Sequence, residues 1–163
     1  MGNAIVYRMP FGVPGDLSRL AAQATVEGQI FGATAFTAYG VPVKLSSGTV
    51  IPAVGSGDAI YGFLVRPFPV TGASASDPLG TAVPPATGMA NVLRRGYLNV
   101  YVQLGAATCA LGSAVYFRTA SASGGQPLGG IEGATSGNNT AITGAAFMGP
   151  ADANGMAEIA YNL

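Results

Sequence analysis

The side chains able to do chemistry are few and scattered. The seven acids are Asp16, Glu27, Asp58, Asp77, Glu132, Asp152 and Glu158. They are widely spaced, so only the fold can pair two of them. Two carboxylates brought together would suit glycoside cleavage, although chance pairs of acids occur in any domain. The chain has no histidine. A Ser-His-Asp triad and a histidine-based metal site are therefore excluded. Cys109 is the single cysteine and stands among Ala107, Thr108, Ala110 and Leu111. No internal disulfide can form. No neighbouring cation lowers the thiol pKa, and the setting reads as a buried, inert thiol. Gly55-Ser-Gly-Asp58 and Gly124-Gly-Gln-Pro-Leu-Gly-Gly130 lack the lysine and following helix of a phosphate cradle and read as turns. No cofactor and no metal ligand set is expected.

The cations are six arginines and one lysine, Lys44. Arg94-Arg95-Gly96 is the one charge cluster. It reads either as an anchor on an acidic partner surface or as exposed cations that block edge-to-edge strand stacking. Asp16 and Arg19, in Gly15-Asp-Leu-Ser-Arg19, read either as a turn or short helix with Asp16 near its start, or as a docking loop. Arg66 ends an apolar run. Asp16, Arg19, Arg66, Arg94 and Arg95 form the candidate partner interface.

Charge is scarce throughout. An ordinary soluble domain is about 25% charged; this chain is 9% charged, with no tryptophan. Its 25 Gly and 11 Pro would suit disorder, but 49% of residues are hydrophobic, and disordered segments are poor in apolar residues. A folded chain with many turns is expected. The 163 residues fit one domain. The net charge of zero argues against a phosphate-neutralising stripe for nucleic acid and against adhesion to anionic lipid. The start of the chain lacks the basic and apolar regions of a secretory leader. No apolar run approaches the ~18 residues of a membrane span.

The elements that must position these residues read as strands. Residues 1–35 are rich in Pro, Gly and small residues and read as an N-terminal arm and loops; residues 36–163 read as the β domain. In 36–45, Thr37, Tyr39, Val41, Val43 and Leu45 share one parity, a strand signature, with Gly40 and Pro42 marking an edge or bulge. Thr49–Pro52 returns after a turn. Residues 59–66 are almost continuously apolar, as in a strand buried on both faces. Residues 71–88 and 119–141 read as long loops. In 90–104, Leu98, Val100, Val102 and Leu104 alternate with Asn99, Tyr101 and Gln103, and Gly96 marks a bulge. Strands are also expected at 114–118, 145–148 and 156–163. The expected fold is all-β, a single-domain sandwich or barrel of about seven to eight short strands, with an extended N-terminal arm and long Gly/Ala/Ser loops.

Several strings, in order, carry a resemblance. They are Gly12-Val-Pro-Gly-Asp-Leu-Ser-Arg19, Tyr39-Gly-Val-Pro-Val-Lys-Leu45, Ile60-Tyr-Gly-Phe-Leu-Val-Arg-Pro67, Val92-Leu-Arg-Arg-Gly-Tyr-Leu-Asn-Val100, Gly112-Ser-Ala-Val-Tyr-Phe-Arg118 and Ala157-Glu-Ile-Ala-Tyr-Asn162. Over nearly its whole length the chain resembles the structural cement, or capsid decoration, proteins of tailed bacteriophages. The resemblance implies a β-rich virion protein without catalytic activity. It would be made in the host cytoplasm and bound on the outer surface of an icosahedral head. There it would bridge major capsid subunits as a small homo-oligomer, a dimer or trimer, with no nucleic acid or membrane partner. Two other readings stand beside it. One is a small β-sandwich module for carbohydrate or host-surface recognition, which the missing tryptophan disfavours. The other is a small hydrolase using two carboxylates, which the composition disfavours most.

Overall fold

The computed structural model describes residues 12–19, 23–67, 82–123 and 125–163. Among them nine strands follow in order: β1 (Thr25–Ile30), β2 (Pro42–Ser46), β3 (Thr49–Pro52), β4 (Gly62–Val65), β5 (Met89–Leu104), β6 (Ala114–Arg118), β7 (Ile131–Glu132), β8 (Asn139–Phe147) and β9 (Met156–Tyr161). The fold is all-β, as expected. One 3-10 turn, Ala106–Thr108, follows β5.

The sixteen-residue β5 organises everything else. Its second half pairs antiparallel with β9 from Gly96 to Tyr101, and its last residues pair in parallel with β7. Pairings β7–β6, β6–β8 and β8–β9 then close the circuit. This is a five-stranded barrel, and closure removes most of the sticky strand edges. The first half of β5 lies between β4 and β1. There the order is β3-β2-β4-β5-β1, and a single bridge from Phe31 to Val50 of β3 brings the ends together. The Gly32 N–H donates to the Val50 carbonyl at 2.8 Å beside it. The molecule is thus two rings sharing one strand.

Each ring has its own core. Phe63, Leu93, Leu98, Val100, Phe117 and Ile159 belong to the larger one. Phe31, Phe36, Val43, Val50, Leu64 and Val92 belong to the smaller. β4 separates them: Phe63 and Val65 face one core and Leu64 the other. All four of its residues are buried, which explains the continuous apolar run there.

The expected bulge is present. The β1–β5 register steps from Thr25↔Arg95 to Val26↔Leu93, so Arg94 is the extra residue, and Gly96 follows at φ 133°. One added residue reverses side-chain parity. Leu93 faces the larger core before the bulge, and Leu98, Val100 and Val102 face it after. Without the bulge, Tyr97, Asn99 and Tyr101 would turn inward instead. Leu104, expected inward, is exposed at the barrel end.

Other expectations differ from the structure. Strand β1 lies within residues 1–35, where only arm and loops are expected. Its Gly28 and its mixed exposure blur the alternation. Residues 36–41 are irregular, with bends at 37–40, and form no strand; Phe36 and Tyr39 plug the smaller core from there. The stretch 119–141 contains β7 and the start of β8. Among the described residues of 1–19, Gly15–Ser18 forms no helix but runs along β5. The Gly15 N–H donates to the Asn99 carbonyl at 2.8 Å, and the Asn99 N–H to the Asp16 carbonyl at 2.9 Å. Gly15 sits at φ 87°, and a Cβ there would lie 2.6 Å from the Tyr39 Cβ. Most of the 71–88 loop and the first eleven residues fall outside the described residues.

Candidate partner-binding surface

The bulge sends its two arginines to different surroundings. Arg94 turns toward the smaller ring. Its guanidinium carbon lies 3.6 Å from the Tyr61 ring centroid, it donates to the Tyr61 carbonyl, and its Nε is 3.6 Å from Glu27. The Tyr61 hydroxyl donates to the same carboxylate, and Gln29 donates to that hydroxyl at 3.2 Å. The hydrogen bond to Glu27, aided by desolvation, holds the Tyr61 phenol above its usual range. Arg95 points outward.

The same arrangement of arginine, tyrosine and carboxylate recurs twice. Arg19 makes a two-pronged contact with Glu158, at 2.9 and 3.1 Å, and stacks 3.7 Å from the centre of Tyr97. Ser18 adds a hydroxyl hydrogen bond to Glu158 at 2.6 Å. Arg66 lies 4.6 Å from the centre of Tyr39, donates to the Pro14 carbonyl at 3.1 Å, and comes within 3.9 Å of Asp16. Burial pushes the Asp16 carboxyl up, with Arg66 pulling against it; burial also raises the Tyr39 phenol. These contacts tie the Gly15–Arg19 segment to β4, β5 and β9.

Two further pairs follow the same rule. Lys44 donates to Asp58 at 2.7 Å. Burial opposes ionisation of Asp58, but Lys44 and the N–H groups of Val54 and Gly55 outweigh it and hold the carboxyl below its usual range. Arg118 and Glu132 form a buried pair at 2.6 Å, completed by the Asn139 amide on the second Glu132 oxygen. Five carboxylates therefore each lie against a cation. Among the described residues no group of three or more His, Cys, Asp or Glu side chains could hold a metal ion. Cys109 is buried, and burial raises its thiol.

Four of the five candidate interface residues, Asp16, Arg19, Arg66 and Arg94, are thus engaged within the fold. Arg95 is exposed at a groove of about 480 Å³ with Gln23, Ala24, Thr25, Tyr97 and Leu163. A second groove, of about 630 Å³, runs past Asp16, Leu17, Val26, Arg66 and Asn91. Some surface residues escaped the sequence reading. Ile30 (60% exposed) and Met89 (74%) oppose one another at the end of the β1–β5 ladder, and Leu111 (73%) stands on the turn before β6. In sequence, Met89 alternates with Ala90 and Val92 of the smaller core, a pattern that turns it away from that core.

The sequence matches, over residues 1–162, the model of a family described as structural cement protein (E217 gp24/Pam3 gp6). No curated protein matches it. Among solved structures it is similar to a chain in the capsid of Myoviridae phage XM1. The two are 19% identical, the alignment covers 99% of this chain and 97% of that one, and the TM-score is 0.65. At that identity the likeness establishes a shared fold.

Proposed function

Since the chain belongs to the phage structural cement protein family, making it a structural component of the virion, we propose that it decorates the outer surface of an icosahedral head and stabilises it by bridging major capsid subunits. The match over residues 1–162 carries this reading, and the similarity to a chain of a phage capsid supports it. The mechanism is mass action. A protein that binds only the assembled shell lowers the free energy of that state, and many symmetric copies add up even when each contact is modest.

The fold suits such a role. Apart from Arg95, the described cations each meet a carboxylate within the fold, which leaves few free charges on a surface that exposes apolar side chains such as Ile30, Met89 and Leu111. On this reading the contact elements are the N-terminal arm, the loops at 71–88 and 119–141, and the side chains Asp16, Arg19, Arg66, Arg94 and Arg95. The protein acts as a dimer or trimer, is made in the host cytoplasm, carries no catalysis, and binds neither nucleic acid nor membrane.

The test compares heads with and without the protein. Shells lacking it should rupture at lower temperature, and adding purified protein should restore the complete particle's heat resistance. Equal survival of the two kinds of particle refutes the cement role. Glycan binding by a protein with no affinity for shells would favour the recognition-module reading instead.

A further inference from the structure

We infer that the Arg95 groove is the receptor for a carboxylate side chain of the shell protein, the contact at which this chain's charge is completed from outside. The inference rests on the decorating role proposed above. Every other described cation has its partner in the fold: Arg19, Lys44, Arg66, Arg94 and Arg118 each meet a carboxylate. The Arg95 side chain makes no hydrogen bond, ion pair or ring contact with any described residue. The aromatic that lines the groove with it, Tyr97, already carries Arg19 on its ring.

The groove is a consequence of the bulge. Gly96 presses against the chain at Ala24, where even a Cβ would come within 3.0 Å. This packing holds the Gln23–Thr25 wall beside Arg95. The result is a guanidinium fork at a concavity flanked by Thr25 and Tyr97. A guanidinium presents two parallel N–H donors that match the two oxygens of a carboxylate. In open water such a pair contributes little. When a partner covers the groove, the lower dielectric strengthens it.

Charge complementarity decides whose carboxylate it is. A second copy has no described Asp or Glu side chain to offer. Asp16, Glu27, Asp58, Glu132 and Glu158 are paired with cations. The Asp152 Oδ1 accepts the N–H groups of Asn154 and Met156, and its Oδ2 is buried. No described acid of a second copy is free to pair with Arg95, and on the decorating reading the carboxylate belongs to the shell subunit.

The experiment measures sedimentation of purified protein with phage shells that lack it, for wild type, Arg95→Glu and Arg95→Lys. Because the Arg95 side chain has no polar partner among the described residues, all three should melt at nearly the same temperature. Arg95→Glu should weaken shell binding by about tenfold or more, and Arg95→Lys should fall between, having a point charge in place of the fork. Wild-type binding should weaken with added salt more than that of Arg95→Gln. Binding of Arg95→Glu within about twofold of wild type, on shells that wild type does bind, overturns the inference and leaves the decorating role standing. A loss of binding accompanied by a changed oligomeric state in analytical ultracentrifugation places the carboxylate on a second copy and also overturns it. Failure of wild type to bind shells overturns both.

Discussion

The two rings on β5 are closed in different ways. The larger is sewn along a six-pair ladder between β5 and β9 and carries a fully buried ion pair, Arg118–Glu132, on its β6–β7 wall. The smaller meets at one bridge, Phe31 to Val50, and is clasped by the half-exposed cluster of Glu27, Tyr61 and Arg94. The contrast concerns where polar groups can hold a fold together. A buried pair cannot lose one member without stranding the other in a medium of low polarity. An exposed clasp has water as a substitute partner.

The largest effect that would test this contrast is Glu132→Ala. It leaves the buried Arg118 guanidinium without its carboxylate, with only the Ala120 and Ser121 carbonyls to accept from it, and should cost about 3–5 kcal/mol of stability by denaturant unfolding. A loss under about 1 kcal/mol would mean that water reaches Arg118 and that the two closures are alike. Next is Leu64→Ala, which opens a cavity in the smaller core beside β4 and should cost about 2–5 kcal/mol. Because β4 packs on both cores, unfolding followed separately at Tyr61 and at Tyr116 should remain a single coincident transition. Two separated transitions would show that the rings fold independently. The smallest change is Glu27→Gln at the clasp. With both partners about a third or more exposed, the ion pair should account for less than about 1 kcal/mol, and that part should vanish in high salt.

Acid sharpens the comparison further. The folded-state pKa of Asp58 is depressed, so its stabilisation is present above the unfolded value and is lost as pH falls through the lower folded one. Asp16 is raised, so its contribution has the opposite sign: it is greatest when the carboxyl is protonated and is lost as pH rises through the folded value. In thermal melts below about pH 5, Asp58→Asn should flatten the acid-induced loss of stability and Asp16→Asn should steepen it. Parallel curves for both variants and wild type would show that neither carboxylate is coupled to folding.

Much of the architecture was legible because burial leaves a pattern. The 114–118 strand, the alternation after Gly96 and the two-faced burial of β4 are each written in the order of apolar residues. What was illegible depends on partners distant in sequence. β7 is two residues long, Ile131 and Glu132, and is defined by neighbouring strands and by an arginine fourteen positions away. β1 presents Glu27 and Gln29 toward a tyrosine more than thirty residues on. The candidate interface shows the same limit. Asp16, Arg19, Arg66 and Arg94 look unattached in sequence, since Arg19 and Glu158 stand 139 residues apart. Only the folded chain separates these four from Arg95.

The shared strand also has a mechanical consequence. A force pulling the far ends of the two rings apart runs along the axis of β5, and the ladders to β1, β4 and β9 lie parallel to that axis. Strands loaded along their length fail by sliding, which requires many hydrogen bonds to break together; strands loaded across it peel open one bond at a time. The molecule is therefore stiffest in the direction that joins its two halves, in the manner of a lap joint.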